Sequence, residues 1–174
     1  GAFGYSSNTT PWSELEIRSL EIREGITGIG GYSLFGQEKL KNVTIASTVE
    51  TIGPSAFEGC TALERIRLPL QLKQLGNSAF KDCTSLEDIN LGSCQVEEIG
   101  NSCFQGCSAL RKIVLNKNVK TVKPAAFKDC AEVRTITMEE GVATLGAECF
   151  SGCNKVSAVM VPRSVSSVTG ITEE

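Results

Sequence analysis

The sequence contains no histidine, and aromatic residues make up only 6% of it. Histidine is the commonest general base and metal ligand, so its absence weighs against most hydrolase chemistries. No apolar run approaches the roughly 20 residues that a membrane-spanning helix requires, and we expect no membrane insertion. The chain begins at Gly1 without an initiator methionine or a signal-type segment, which indicates a mature or excised fragment.

The charge balance gives no strong field of either sign. The chain has 17 basic and 20 acidic side chains and a net charge of −3. A global positive field that would recruit nucleic acid or an anionic membrane is therefore missing, and we expect neither as a partner. With 174 residues, of which 41% are hydrophobic, the chain is long enough for one domain with a sizeable core.

A fixed repeat runs through the chain. The segment Ser55–Leu63 returns as Ser78–Leu86 and as Ser102–Leu110. The extra residue of the one longer repeat falls in the loop 92–94, and Leu34 and Gln37 take the phenylalanine and cysteine positions of the earliest full unit. The repeated phenylalanines, at intervals of 23, 24, 23 and 23 residues, are Phe57, Phe80, Phe104, Phe127 and Phe150.

An apolar triplet with the spacing L-x-x-I-x-L follows each unit, seven times from Ile17 to Val161. Its alternation predicts a short, half-buried strand. Two more apolar residues close each unit before a glycine, as Leu72 and Leu75 do before Gly76, while Lys123 replaces this glycine once. One unit cannot bury its own apolar side, so stacked coils should enclose one continuous core that contains the phenylalanine column.

The motif I-G-x-x-A-F-x-x-C-x-x-L-x-x-I-x-L covers nearly the whole chain and resembles the BspA-like class of leucine-rich repeats. It is carried here by Leu75-Gly76, Ala79-Phe80, Cys83, Leu86, Ile89 and Leu91. The resemblance implies an α/β fold, a right-handed leucine-rich-repeat solenoid. A parallel β-sheet would form one face, and short strands, turns or helical turns the other.

We expect three segments in the chain. Residues 1–16 would form an N-terminal capping leader, 17–168 the solenoid with seven strand units of about 23 residues, and 169–174 a C-terminal tail. The aromatic residues Phe3, Tyr5 and Trp12 precede the first strand. A sugar-binding platform is conceivable there, but we interpret them as a cover for the apolar end of the stack.

The cysteines are the residues most easily taken for a functional site. Five of the eight lie three positions after the repeated phenylalanine: Cys60, Cys83, Cys107, Cys130 and Cys153. Side chains at one repeat position point the same way, which suits a column of reduced thiols better than disulfides. A cysteine there acts as a small hydrophobe whose weak donor can reach a neighbouring carbonyl.

The other three cysteines fall elsewhere. Cys103 and Cys149 occupy the alanine position before the phenylalanine, whereas Cys94 lies in an irregular loop where we expect exposure. The C-x-x-x-C spacing of Cys103 with Cys107 suggests zinc only weakly, because four ligands would have to come from separate coils. We therefore expect no metal and no cofactor.

The outward positions of the strands form a regular grid on a rigid scaffold and are the better place for a function. Arginine and methionine are favoured at protein interfaces. The alternative is a solvated face that neutralises itself through ion pairs between adjacent strands. The candidate protein-binding residues are Arg65, Arg67, Asp88, Asn90, Lys112, Val114, Thr137 and Met160.

Three functions remain open on sequence alone. The first follows from the resemblance, since members of the class are mostly secreted or surface-attached and several are linked to adhesion. It is a non-enzymatic, monomeric module that binds a host, extracellular-matrix or other cell-surface protein. The second is a spacer that displays another domain. The third is a solenoid enzyme acting on polysaccharide, whose acids would have to be Glu64, Glu87 and Asp88.

Overall fold

The protein is a parallel β-solenoid in which every described coil but the last contributes two short strands. The structure, a computed structural model, describes residue 10 and residues 12–168. Most of the expected leader and the whole of the expected tail, 169–174, lie outside the described residues. The expected repeat solenoid is confirmed, and of the expected short strands, turns or helical turns on its second face the structure has strands and turns. The expected α/β class is not found, because the one helical turn among the described residues is the 3-10 turn Leu91–Ser93.

The longer strands lie where the apolar triplets predict them and form what we call the front face. Their partners are offset by one coil, so that Leu20 pairs with Val43 and Ile113 with Ile136. The front strands are β1 (Ser19–Ile22), β3 (Asn42–Ile45), β5 (Arg65–Ile66), β7 (Asp88–Ile89), β9 (Lys112–Leu115) and β11 (Thr135–Met138).

Two-residue strands before the repeated glycine form a second sheet. This sheet is parallel and unbroken over seven strands, whereas the front face consists of three separate pairs, β1–β3, β5–β7 and β9–β11. The strands of the second sheet are β2 (Gly28–Ile29), β4 (Thr51–Ile52), β6 (Gln74–Leu75), β8 (Glu98–Ile99), β10 (Thr121–Val122), β12 (Thr144–Leu145) and β13 (Ser167–Val168).

The predicted seventh front strand is absent. Residues 157–161 have no strand conformation, and Val159 and Val161 are exposed. Within the described chain no further coil covers these side chains, so pairing here would bury too little apolar surface to fix the strand. Among the described residues the front face therefore has six strands.

The column of phenylalanines is confirmed. Phe57, Phe80, Phe104 and Phe127 are fully buried, and Phe150 is partly buried at the end of the column. Successive ring centroids lie 5.1, 5.5, 5.2 and 5.8 Å apart, with the planes tilted by 16° or less. The rings thus follow the rise of the coils and link them into one core.

The longer repeat is accommodated by an asparagine. Its extra residue lies in the 3-10 turn Leu91–Ser93, so that Gly92 and Cys94 belong to no strand. The Nδ2 of Asn116, one coil later, donates to the oxygens of Gly92 and Cys94 at 3.0 Å each. These buried carbonyls therefore keep hydrogen-bond partners.

The first coil is anchored to the segment before it. Gln37 occupies the cysteine position, and its Nε2 donates to the Trp12 carbonyl at 3.2 Å while its Oε1 accepts from the Ile17 amide at 3.2 Å. The indole nitrogen of Trp12 donates to the Ser33 carbonyl at 2.5 Å. This departure from the repeat supports the proposal that the leader caps the stack.

In 12–168 we find no helix of the length and apolarity needed to cross a bilayer.

Candidate functional site

Neighbouring coils bring the outward side chains of the front face into rows. Arg65 lies opposite Asp88 between β5 and β7, and Val114 lies opposite Thr137 between β9 and β11. The amide of Arg111 donates to the Glu87 carbonyl at 3.2 Å, which places β9 beside β7. The front face therefore has the grid of side chains that the repeat spacing predicts.

At the middle of the front face six side chains form what we call the charge cluster: Arg65, Arg67, Glu87, Asp88, Arg111 and Lys112. Each carboxylate lies between two bases. Glu87 is 3.1 Å from Arg111 and 3.9 Å from Arg65. Asp88 is 3.0 Å from Arg67 and 3.6 Å from Lys112. The expected ion pairs between adjacent strands are thus present, but four cations share two anions.

The cations of the charge cluster lie further out than the anions. The side chains of Arg65, Arg67 and Arg111 are 70, 67 and 65% exposed, whereas those of Glu87 and Asp88 are 33 and 28% exposed. The acids thus lie beneath the basic groups. A molecule approaching this face meets guanidinium and ammonium groups first.

Two candidate residues are occupied by contacts within the fold. The Asn90 side chain accepts from the Leu68 amide at 2.8 Å and donates to the Leu68 carbonyl at 3.0 Å. A Cβ on Gly92 would come within 2.8 Å of Val114 Cγ1, so Val114 packs closely over that glycine. Both side chains are half-buried and offer less surface to a partner than the charged residues do.

The other two candidates lie beyond the charge cluster. Thr137 is exposed on β11, one coil after Val114. Met160 is 84% exposed but belongs to the stretch 157–161 that has no strand conformation. The structure therefore joins Arg65, Arg67, Asp88 and Lys112 in one patch and leaves Met160 outside it.

All eight cysteines are free and buried. The expectation that Cys94 is exposed is wrong, because the 3-10 turn directs it into the core, where its side chain lies in the same cluster as Leu91. Burial raises the pKa of the Cys60 thiol to about 12 and that of the Cys94 thiol to about 11. Such thiols are protonated at neutral pH and react slowly.

Within residues 12–168 there is no group of three or more cysteine, aspartate or glutamate side chains arranged to hold a metal ion.

The acids suggested for catalysis each have a basic partner. Glu64 lies 2.9 Å from Lys41, and Glu87 and Asp88 belong to the charge cluster. All three carboxylates are therefore engaged in ion pairs.

Sequence reasoning missed an open groove of about 1200 Å³ over the second sheet. Its floor contains Thr51 and Gln74 together with the glycine corners Gly53 and Gly76. A Cβ at Gly53 would come within 2.5 Å of the Gly31 amide nitrogen. Adjacent coils therefore approach closely at these corners, and the repeated glycine was the sequence signal that pointed to them.

The comparisons with known proteins agree with this architecture. The profile described as BspA type leucine rich repeat region matches residues 10–131 and 89–171, in six copies. Comparison with curated proteins finds no match.

Three solved structures show the same fold. A leucine-rich repeat protein from Eubacterium ventriosum has a TM-score of 0.81 and 26% identity over 95% of this chain and 46% of its own. The T. pallidum leucine rich repeat protein has a TM-score of 0.77 and 23% identity, covering 89% of this chain and 71% of its own. A leucine rich cell surface protein from Faecalibacterium prausnitzii has a TM-score of 0.50 and 16% identity, covering 90% and 60%.

The chain thus spans less than half the length of the Eubacterium ventriosum protein. None of these comparisons indicates a catalytic function, and proteins built from such repeats are generally not enzymes. The profile match extends over nearly all of the described residues, and the chain belongs to the BspA-type leucine-rich repeat family.

Proposed function

We propose that the protein is a non-catalytic adhesive module of the cell surface, secreted or attached there, that binds a host, extracellular-matrix or other surface protein through its front face. The observation that carries the proposal is the charge cluster, where exposed cations stand on a rigid strand scaffold. Rigid elements hold binding groups more exactly than loops do, which lowers the entropy lost on binding.

The proposed cell-surface location is supported by one protein of similar structure. The Faecalibacterium prausnitzii protein is described as a leucine rich cell surface protein. A surface location suits a stack of coils that displays side chains at regular intervals over a long face.

The competing function is a spacer that displays another domain, and surface variants separate the two. The front variant is Arg65→Gln/Arg67→Gln/Met160→Gln. The control variant, Lys81→Gln/Lys128→Gln/Leu70→Gln, also removes two cations paired with glutamates and one exposed apolar side chain, but away from the front face. The front variant should unfold at nearly the temperature of the unmodified chain, because its arginines are 70 and 67% exposed and such pairs contribute little. The unfolding temperature of the control variant is measured alongside, because Lys81 and Lys128 are only 32 and 33% exposed.

Binding of the purified chain to a panel of purified extracellular-matrix proteins would be measured by surface plasmon resonance. We expect at least one matrix protein to bind, with an affinity that falls in the front variant and is kept in the control variant. An equal affinity in all three proteins, or no binding to any member of the panel, would favour the spacer.

A further inference from the structure

The charge cluster identifies the chemistry of a ligand. It contains four cations and two anions, an excess of two positive charges. Subtracting this excess from the net charge of −3 leaves −5 on the rest of the chain. The charge cluster is therefore an electropositive patch on an otherwise acidic chain, and Arg134, whose amide donates to the Arg111 carbonyl, lies one coil further along.

The acidic remainder does not cancel this patch at physiological ionic strength. Charges separated by more than about 8 Å are largely screened there. Glu87 and Asp88 are each shared by two bases and are less exposed than those bases. The neighbouring carboxylates of Glu64 and Glu132 are paired with Lys41 and Lys155. A bound anion can thus approach the bases from solvent without displacing an acid.

The arrangement of the charges favours a linear polyanion. Basic residues lie on β5 and β9, and the acidic strand β7 lies between them. The coils here advance by 5.1 and 5.5 Å between ring centroids. A flexible polymer with repeated negative groups can lie along the stack. Its negative groups then contact the bases on β5 and β9, and its uncharged parts lie over β7.

The same face lacks what a protein partner normally uses as an anchor. Interfaces between proteins centre on buried aromatic and apolar side chains. Between β5 and β9 the outward positions contain no aromatic residue, and the one aliphatic side chain, Val114, is half-buried over Gly92. Attraction to this patch is thus mainly electrostatic.

We infer that the charge cluster binds a sulfated polysaccharide chain, of the kind that an extracellular-matrix protein carries. This inference rests on the proposed adhesive function and names the part of the partner that the front face contacts. Each sulfate would accept hydrogen bonds from one or two guanidinium groups, which match oxyanions in geometry.

The test uses immobilised heparin as the probe, with the unmodified chain at about 0.15 M salt, the ionic strength at which the screening argument applies. Removing two cations with Arg65→Gln/Arg67→Gln should weaken binding about tenfold or more. The matched variant Lys81→Gln/Lys128→Gln should bind like the unmodified chain. Glu87→Gln/Asp88→Asn should bind more tightly, because it removes the two anions that repel the polymer.

Chemically desulfated heparin, which keeps its carboxylates, and poly-L-glutamate distinguish the sources of negative charge. The inference predicts much weaker binding to both. It is overturned if heparin does not bind, if desulfated heparin or poly-L-glutamate binds as tightly, or if Glu87→Gln/Asp88→Asn weakens binding. Should heparin fail while a matrix protein still binds through the front face, the proposed function survives and this inference alone is lost.

Discussion

The Sγ of Cys107 donates to the carbonyl oxygen of Phe80, one coil earlier, at 3.1 Å. The same oxygen accepts the amide of Cys83 at 3.2 Å, so one carbonyl joins two coils. The relationship recurs along the column at 3.1 to 3.4 Å, in Cys83 with Phe57, Cys130 with Phe104, and Cys153 with Phe127. Cysteine is thus used here as a donor that links coils and not as a reactive group.

Replacing Cys107 with alanine should destabilise the fold by about 0.5 kcal/mol more than Cys103→Ala does, the low end of the contribution of one hydrogen bond, because a thiol is a weak donor. The two thiols are equally buried, but alanine already occupies the Cys103 position in other coils. Denaturant unfolding of both variants under reducing conditions measures the difference. Equal losses would show that the thiol–carbonyl contact contributes nothing.

Phe104→Ala should lower the free energy of unfolding by about 3–5 kcal/mol, the usual loss for a buried phenylalanine. The Phe104 ring is fully buried and stacks on rings at both sides. Phe150→Ala should cost clearly less, because the Phe150 ring is partly buried and the structure places a ring on one side of it only among the described residues. Thermal unfolding compares the two, and a larger effect at Phe150 would contradict the shared core.

Gly106→Ala should destabilise more than Gly36→Ala. Both glycines have positive φ, +74° and +69°, which costs an alanine about 1–2 kcal/mol. A Cβ at Gly106 would in addition overlap the Oδ1 of Asp82, whereas one at Gly36 meets nothing within 4 Å. The double variant Asp82→Gly/Gly106→Ala should recover to the level of Gly36→Ala in denaturant unfolding. No recovery would rule out the steric explanation.

Gln37→Cys, which restores the residue found in later coils, should loosen the beginning of the chain. A cysteine is too short to keep both bonds that Gln37 makes, to the Trp12 carbonyl and the Ile17 amide. Hydrogen exchange at the Ile17 amide should become faster while exchange in the central coils stays the same. Unchanged exchange at Ile17 would show that the leader is held by other contacts.

The stability of the fold should decrease in alkaline solution. In the unfolded chain a thiol has a pKa near 9.0, whereas burial raises the pKa of Cys60 to about 12 and that of Cys149 to about 11. The stabilisation from keeping these thiols protonated is complete below pH 9 and is lost as the pH rises towards 11–12. Denaturant unfolding between pH 7.5 and 10.5, with reductant present, should show the decrease.

Other groups also titrate in this range, so a variant must isolate the thiols. Cys103→Ala/Cys149→Ala removes two of them at positions where other coils carry alanine. Its unfolding free energy should fall less steeply with pH than that of the unmodified chain. If the unfolding free energies of the two proteins decreased equally steeply with pH, the thiols would not be the cause.

The repeat predicted the coils, the phenylalanine column and the thiol contacts, because residues at one slot of equal-length units share one environment. It did not predict that β5 and β7 end after two residues, since the side chain of Asn90 pairs with the Leu68 backbone where these strands would continue. Nor did it predict the groove, which depends on how closely coils approach at Gly53 and Gly76. The spacing of apolar residues in the sequence carries no information about these distances between coils.

Each thiol described above donates to a carbonyl in the preceding coil, so the two ends of the stack are not equivalent. Gln37 makes the corresponding bonds to the segment before the first coil, so a coil cannot be inverted without losing its acceptor. Excising one complete coil would, by contrast, leave every remaining donor facing an equivalent carbonyl. Evolution can therefore lengthen or shorten such a protein in whole coils, changing the spacing of charged strands on its surface without redesigning its interior.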